Sequence, residues 1–235
     1  MILQGSGLEL SYGLAGVDLA VADGEAVGVV GPNGAGKTTL LNVLAGSATP
    51  DAGRVLLDGE DVTRLDPQRR CRRGIGRAHQ IPRPFTGMTV LENVLVGAAY
   101  GAGLRRRAAH DHSVGVLRRC GLLALADRRA GTLGLLHRKR LELARAVATR
   151  PRVLLLDEIG AGLTDAEAAE LVTTIRELRE DGIAIVWIEH IVHVLLQVVG
   201  RLVCMDAGRV IANGQPDLVL SDAVVIDAYL GKACA

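Results

Sequence analysis

The chain has 235 residues, of which 49% are hydrophobic and 23% are charged, while aromatic residues make up only 2%. This length suits one large α/β domain, or a domain with a smaller inserted one, better than two independent domains. The apolar stretches are strand-sized, well below the ~20 residues needed to cross a bilayer, and the start has neither a basic flank nor a long apolar stretch. We therefore expect no transmembrane helix and no secretion signal, and a cytoplasmic location.

The net charge of +1 conceals a basic segment, because residues 101–150 hold 12 Lys/Arg and only 3 Asp/Glu. A solvated helix surface and a contact with anionic lipid or an acidic partner both account for such a segment. The cysteines at positions 71, 120, 204 and 234 show no Cys-x-x-Cys spacing. This pattern argues against a zinc site or a disulfide framework and favours reduced, partly buried thiols.

The first third of the chain is rich in β-type runs. Residues 8–12, 17–21 and 26–30 are predicted strands, and a glycine-rich loop leads from the last of them into an apolar helix at 38–45. From about residue 81 to 149 the pattern becomes helical, most clearly at 90–99, 113–120 and 138–149, and no convincing strand is found there.

The last third alternates between strands and helices. It predicts a strand at 153–156, a helix at 165–181, a strand at 183–188, a helix from 190 to about 199, and a hairpin of strands 201–206 and 209–212. Continuous aliphatic strands separated by amphipathic helices predict a mostly parallel sheet covered on both faces. The helical middle is then an insertion between strands of that sheet.

The glycine-rich loop fits the phosphate-loop pattern G-x-x-x-x-G-K-[ST] between a strand and a helix. Its residues are Gly31, Pro32, Asn33, Gly34, Ala35, Gly36, Lys37, Thr38 and Thr39. We expect backbone N–H groups to wrap the phosphates, Lys37 to reach the β- and γ-phosphates, and the Thr38 hydroxyl to ligate magnesium. The pattern indicates nucleotide binding without specifying the reaction, since kinases, GTPases and many motors share it.

A second part of the site follows the predicted strand 153–156, which ends in Asp157 and Glu158. Ligands bind at the carboxyl ends of strands in sheets of this kind. We expect Asp157 to hold magnesium through water and Glu158 to polarise the attacking water.

Together these segments resemble the ATP-binding cassette ATPases, in order and through essentially the whole chain. The matching segments are Gly31 to Thr39, Gln80, Asp157-Glu158, Gly162-Leu163-Thr164-Asp165 and Ile188-Glu189-His190. The resemblance implies one α/β domain over residues 1–235, with a P-loop NTPase core (about 1–80 and 150–235) built on a mostly parallel sheet. It also implies an N-terminal antiparallel β subdomain and an inserted helical subdomain at about 81–149 that carries the signature segment.

The resemblance also implies ATP and Mg²⁺ as ligands and gives roles to further residues. In this family, the glutamine matching Gln80 binds magnesium and senses the γ-phosphate, and the histidine matching His190 contacts the γ-phosphate. Tyr12 lies where an aromatic residue stacks on adenine, although a strand aromatic that fills a small core remains the alternative. Val17 would form an apolar floor beside it. The whole of the loop 31–39 would contact the nucleotide.

The signature segment departs from the family pattern. Leu133-Gly134-Leu135-Leu136-His137 stands where the family carries Leu-Ser-Gly-Gly-Gln, although the basic helix after it matches well. In the resembling proteins this loop crosses a dimer interface to the γ-phosphate held by the other subunit. Gly134 lacks the hydroxyl, and Leu136 places a branched side chain where close backbone approach is expected. We hypothesise that the site built with this signature turns over poorly and that a different ATPase subunit supplies a better one.

Two stretches narrow the resemblance further. The loop after Gln80, with Pro82 and Pro84, and the ending Ala228-Tyr229-Leu230-Gly231 resemble importers of branched-chain and related hydrophobic amino acids, with urea or amide importers as the alternative. The implied partners are transmembrane permease subunits, a second ATPase subunit that is identical or different, and a substrate-binding protein, with the chain on the inner face of the membrane.

Two other classes of protein compete with this interpretation. A DNA-repair or chromosome-type cassette ATPase would carry long coiled-coil arms, and the sequence shows neither sustained heptads nor many aromatics for stacking on nucleic acid, so no nucleic-acid partner is expected. A small-molecule kinase with the same phosphate loop would need neither Gln80 nor His190.

Overall fold

Two β-sheets organise residues 1–230, the part of the chain that the computed structural model describes. The strands are β1 (Leu3–Leu10), β2 (Leu14–Val21), β3 (Ala26–Val30), β4 (Ala52–Leu57), β5 (Glu60–Asp61), β6 (Ile75–Ala78), β7 (Val153–Asp157), β8 (Ala184–Ile188), β9 (Arg201–Asp206) and β10 (Arg209–Gly214). The helices are α1 (Lys37–Ala45), α2 (Pro67–Arg72), α3 (Val90–Val96), α4 (Arg106–Arg119), α5 (Leu135–Ala148), α6 (Asp165–Glu180), α7 (Val192–Leu195), α8 (Pro216–Leu220) and α9 (Ala223–Leu230). A π-helical turn at Gly97–Gly101 and two 3₁₀ turns lie within the helical middle.

The larger sheet has the order β10-β9-β3-β8-β7-β6 and is parallel except for the β9–β10 hairpin. Its strands are buried on both faces, since alternate residues enter two separate hydrophobic cores, except for the edge strand β10, which is only partly buried. In β7, for example, Leu154 and Leu156 pack into the core shared with the inserted helices, while Val153 and Leu155 face the other core. The prediction of a mostly parallel sheet covered on both faces is therefore confirmed.

The smaller sheet is antiparallel, with the order β2-β1-β4-β5. Its inner face packs on α1, whose Leu40, Leu41 and Leu44 are fully buried in the same core. Helix α1 therefore lies between the two sheets, and the loop that precedes it is held at the carboxyl edge of the larger sheet.

The stretch between β6 and β7 contains helices and turns and no named strand in this described part of the chain, as predicted. Two bounds differ from the predictions: α4 begins at Arg106, before the predicted residue 113, and α5 begins at Leu135, before the predicted 138. In α4 charged residues occupy the first turns, so the apolar pattern that marks a helix appears only after the helix has begun. In α5 the first three residues lie in the signature segment at 133–137, which the sequence analysis separates from the helix.

Several predicted elements were wrong or missing. The predicted strand 8–12 is instead the end of β1, and Tyr12 lies in the following turn with a φ of 67°. The predicted helix from 190 to about 199 is only the short α7. Elements β4, β5, α2, β6, α8 and α9 were not predicted. Strand β6 has a glycine, Gly76, in its interior, and it forms because it pairs with β7, for example at Ile75 and Val153.

Buried Arg70 of α2 connects this segment to the end of α1. Its guanidinium donates to the carbonyls of Val43 (2.6 Å), Leu44 (2.9 Å), Thr63 (2.8 Å) and Leu65 (3.1 Å). Burial lowers the pKa of Arg70 to about 10, which leaves the side chain charged at neutral pH. The last carbonyls of α1 thereby gain donors that the helix itself cannot supply.

We expect Arg70→Met to lower the free energy of unfolding by at least about 2 kcal/mol, because hydrogen bonds from a charged donor contribute ~1.5–3 kcal/mol each and their buried acceptors lose a partner. Urea denaturation measures the change. The matched control is Arg69→Met on the same helix, where the exposed cation forms, within residues 1–230, a single ion pair, with Asp66 at 3.6 Å. Equal denaturation midpoints for the two variants would contradict the stabilising role of Arg70.

Three cysteines are free in the described residues: Cys120 and Cys204 are buried and Cys71 is half-buried, in agreement with the predicted thiols. Cys234 lies outside the described residues, as does Gly231, the last residue of the importer-like ending. Among the helices that the structure describes, none has the length and apolarity needed to span a membrane.

Candidate functional site

The loop between β3 and α1 has a backbone path that requires glycine at two positions. Gly31 has a φ of 146°, and a Cβ placed there would lie 2.1 Å from the Met205 carbonyl oxygen. Gly36 has a φ of 98°, and its Cβ would lie 2.3 Å from the carbonyl oxygen of Gly13. Both are backbone contacts that cannot move aside, so the loop keeps its tight curvature. Helix α1 then starts at Lys37 with its unpaired N–H groups directed into the loop.

Lys37 is buried, and its ammonium points back into this loop. Lys37 Nζ donates to the carbonyl oxygens of Gly31 (2.6 Å) and Pro32 (3.0 Å). Burial lowers the pKa of Lys37, and the carboxylate of Glu158 is the strongest influence that opposes this shift. A cation is therefore held at the mouth of a loop lined with N–H groups, an arrangement suited to an anionic ligand.

The carboxylate of Glu158 is the centre of a polar cluster that joins three separate segments. Gln80 Nε2 donates to Glu158 Oε2, and His190 Nε2 lies 2.7 Å from Glu158 Oε1. Glu158 follows β7, His190 follows β8, and Gln80 comes shortly after β6, so each lies near the carboxyl end of a parallel strand. The sheet order places these three strands side by side, which explains why residues 78 positions apart in the sequence meet.

The loop and two members of this cluster, Glu158 and His190, line one cleft of about 270 Å³. Gln80 and Asp157 are not among the lining residues, and Gln80 is connected to the cleft by its contact with Glu158. The lining residues are Tyr12, Gly13, Asn33, Gly34, Ala35, Gly36, Lys37, Thr38, Thr39, Glu158 and His190. Tyr12 is fully exposed at the rim of the cleft, so the alternative of a strand aromatic that fills a small core is wrong. Val17 is completely buried in the core below the smaller sheet, and the structure does not bring it to the cleft.

Comparison with known proteins identifies the family of this chain. Residues 14–161 match the profile of the ABC transporter family, which covers more than half of the chain. The chain belongs to the ABC transporter family. As an ABC ATPase, it hydrolyses ATP.

Individual relatives of this ABC ATPase extend over almost its full length. It is 38% identical to the high-affinity branched-chain amino acid transport ATP-binding protein BraF of Pseudomonas aeruginosa, over 99% of this chain and 98% of the relative. It is 37% identical, with the same coverage, to LivG of Escherichia coli K12, which has the same description. Among solved structures, the ADP conformation of MJ1267, an ATP-binding cassette of an ABC transporter, superposes with a TM-score of 0.89 at 32% identity and covers 98% of each chain.

The sequence analysis missed two residues of this ABC ATPase: Gly13 lines the cleft, and Arg77 contacts Asp157 beside it. Arg77 of β6 donates from one terminal nitrogen to Asp157 Oδ2 (2.9 Å) and from the other to Asn42 Oδ1 (2.7 Å). Asp157 is itself buried at the end of β7, and this contact joins residues 80 positions apart. A charged residue inside a short buried strand was the available signal, because such a residue needs a partner of opposite charge.

The donor set around the cleft fits a magnesium ion bound together with phosphates. The Thr38 hydroxyl is exposed in the cleft, the amide oxygen of Gln80 is on the side chain that also contacts Glu158, and Asp157 supplies a carboxylate. These are hard oxygen ligands, and Mg²⁺ is usually held by one or two such groups, water and substrate phosphate. No cluster of three or more His, Cys, Asp or Glu residues that could hold a metal ion occurs within residues 1–230.

Proposed function

We propose that this chain is the ATP-hydrolysing subunit of an importer for branched-chain or related amino acids. It would bind separate permease subunits on the inner face of the membrane and work with a substrate-binding protein. The observation that carries the proposal is the single cleft shared by the phosphate loop, Glu158 and His190. BraF and LivG are branched-chain amino acid transport ATP-binding proteins, and this similarity supports the substrate class.

Each group in the cleft has a role in phosphoryl transfer to water. The loop 31–39 holds the phosphates, Lys37 neutralises charge on the β- and γ-phosphates, and exposed Tyr12 stacks on adenine. Glu158 polarises the attacking water and accepts its proton. His190, whose Nε2 lies next to Glu158 Oε1, contacts the γ-phosphate. Positioning and charge neutralisation suffice for this reaction, which needs no covalent intermediate with the protein.

Three side chains would hold Mg²⁺ beside the phosphates. Thr38, Gln80 and Asp157 carry the oxygens that would hold Mg²⁺, which neutralises phosphate charge when it is bound. Arg77 fixes one oxygen of Asp157, so the orientation of that carboxylate is set before a ligand arrives. Gln80 contacts Glu158 directly, which allows the loop after Gln80 to respond to what occupies the cleft.

Transport by the assembled complex tests this function. Proteoliposomes that contain the chain with its co-purifying membrane subunits should accumulate labelled leucine, isoleucine or valine with the binding protein and Mg-ATP present, and should not do so with Glu158→Gln. Urea and short amides belong in the same panel, because the sequence left them as an alternative. ATP-dependent uptake of urea alone would replace the amino acid assignment, and uptake of no solute would contradict an importer.

The signature segment indicates that the second ATPase subunit differs from this one. Helix α5 begins directly after Gly134, which provides no side-chain cap, and Leu135 is half exposed in the first turn. A Cβ at Gly134 would meet no atom within 4 Å, so a serine fits there without rearrangement. We infer that the missing hydroxyl weakens the composite site formed with the nucleotide of the partner.

We expect Gly134→Ser combined with Leu136→Gly to raise turnover at that site by roughly tenfold or more, because one hydrogen-bond donor aimed at developing charge is worth ~10²-fold or more in other enzymes. The measurement is single-site ATPase activity of the reconstituted dimer with the other site blocked. Gly115→Ser is the matched control, since this helical glycine also has open space around its Cβ. Unchanged turnover in the double variant would refute the hypothesis.

The DNA-repair type of cassette gains no support from the described residues. Their longest helix is α6 with 16 residues, too short for a coiled-coil arm. The basic segment 101–150 places most of its arginines on the exposed surface, including Arg105, Arg118 and Arg128. Such a surface is consistent with a solvated helix face, and salt-dependent binding of DNA would be the result that favours the other class.

A further inference from the structure

Lys139 is a buried cation behind the candidate site. It lies in the second turn of α5 and is only 3% exposed. Its Nζ is 3.3 Å from the carbonyl oxygen of Gln80 and 3.3 Å from the carbonyl oxygen of Glu158, and it donates to both. One ammonium therefore holds the backbones of the two residues whose side chains contact each other at the cleft.

The backbone of Glu158 needs such support. Its φ of 45° is in the left-handed region, which residues with a Cβ rarely occupy. Conformations of this kind persist where the surrounding structure fixes them from several sides. Here the Glu158 N–H donates to the Ile188 carbonyl at 2.9 Å, and its carbonyl accepts from Ala161 N at 3.2 Å and from Lys139. Lys139 is the only side-chain group among these partners.

A second buried charge, Glu189, follows β8, contacts the turn after Glu158 and is 2% exposed. Its carboxylate accepts from the backbone N–H groups of Gly160 (2.6 Å) and His190 (3.1 Å). Burial lowers the pKa of Lys139 and raises the pKa of Glu189, while the attraction between the two opposes both shifts. Burying a lysine in this position costs more free energy than burying an apolar side chain of similar size. Packing alone therefore does not account for this lysine, and its hydrogen bonds to the two carbonyls are the contacts that an apolar residue could not make.

We propose that Lys139 is a positioning residue for Glu158, which it fixes through the backbone without touching the nucleotide. The inference rests on the proposed function, because Lys139 can position a general base only if Glu158 has that role. It also connects α5 to the cleft: this helix begins in the signature segment, so a displacement of its first turns moves the carbonyls of Gln80 and Glu158 with it. The signature segment and the general base of the same chain are therefore mechanically linked.

The test compares Lys139→Met with Arg140→Met in the complex that contains the full chain. Both changes remove one cation from the same helix, and Arg140 contacts only the exposed Glu170 on α6 among acidic side chains. We expect Lys139→Met to reduce kcat by about 100-fold, the effect of displacing a reacting group by roughly 1 Å, with the Kd for ATP changed by less than about twofold. Arg140→Met should leave both constants near those of the parent.

Hydrogen exchange gives a readout that does not depend on turnover. Amide exchange in peptides that cover residues 158–162 should be about tenfold faster in Lys139→Met and unchanged in Arg140→Met, because loss of the Lys139 contact allows this turn to open locally. If Lys139→Met does not fold, Lys139→Gln replaces it, since the amide keeps a donor without the charge and should give intermediate values.

The two proposals fail in different ways. A parent complex without ATPase activity would contradict the proposed function, while the exchange comparison would still decide the role of Lys139. Normal kcat together with parent-like exchange at residues 158–162 in Lys139→Met would overturn the positioning role. The positioning role would also be overturned if the Kd for ATP rose by the same factor by which kcat fell and the protein lost global stability as well. That combination is expected for a residue that only maintains the fold.

Discussion

Glu158→Gln is expected to reduce ATP hydrolysis by roughly 10³-fold while the protein continues to bind nucleotide, since a positioned general base contributes ~10²–10⁴ in rate. In the structure, Gln80 Nε2 and His190 Nε2 contact the two carboxylate oxygens of Glu158. The amide keeps the shape of the side chain but can no longer accept a proton from water. It also turns one acceptor into a donor that faces Gln80 or His190.

Single-turnover hydrolysis and equilibrium binding of a fluorescent ATP analogue measure the two effects separately. The matched control is Glu177→Gln, the same substitution at an exposed position of α6. We expect the Glu158→Gln variant to hold ATP long enough for a closed dimer to be isolated, because closure would then not be followed by hydrolysis. Parent-like turnover in this variant would remove Glu158 as the general base.

Lys37→Ala is expected to weaken nucleotide binding by about 10- to 100-fold, because a hydrogen bond from a charged donor is worth ~1.5–3 kcal/mol. The ammonium donates to Gly31 and Pro32 inside the loop, so the substitution removes both the cation for the phosphates and two contacts that shape the loop. Isothermal titration with Mg-ATP measures the affinity, and thermal unfolding without nucleotide checks that the fold is intact.

The control for Lys37 is Arg64→Ala, which removes an exposed cation from the N-terminal half of the chain. Its affinity for ATP should match that of the parent. If Lys37→Ala instead binds ATP normally and loses only turnover, the lysine acts on the transition state alone, and the assignment of Lys37 to ground-state binding of phosphate is wrong.

The sequence was most informative where a local pattern carries the structure. The loop 31–39, the buried strand β7 and the helices α5 and α6 were predicted from short stretches of glycine, aliphatic or amphipathic pattern. The prediction of Glu158 at the end of a strand depended on the same kind of local evidence. The start of α6 is also encoded locally, because Thr164 and Glu167 form a capping box there.

Predictions were weaker where neighbours in space determine the element. Strand β6 has little strand propensity of its own, since glycine occupies position 76, and it exists through its ladder with β7. Tyr12 was placed in a strand because the apolar run continues to it, yet β1 ends at Leu10 and the chain turns. Val17 shows the converse: its sequence position suggested the adenine floor, but strand register directs it into the core.

The sequence by itself therefore determined the phosphate loop and the acidic pair, because each is encoded within about ten consecutive residues. It also determined the class of fold, because aliphatic strands and amphipathic helices alternate along the chain. Only the tertiary structure decided that Gln80, Glu158 and His190 form one cluster, that Arg77 holds Asp157, and that Lys139 lies under both Gln80 and Glu158. The physical reason is that strand order and helix packing bring together side chains from distant parts of the chain. A pattern along the chain records which residues are buried, but not which of them meet.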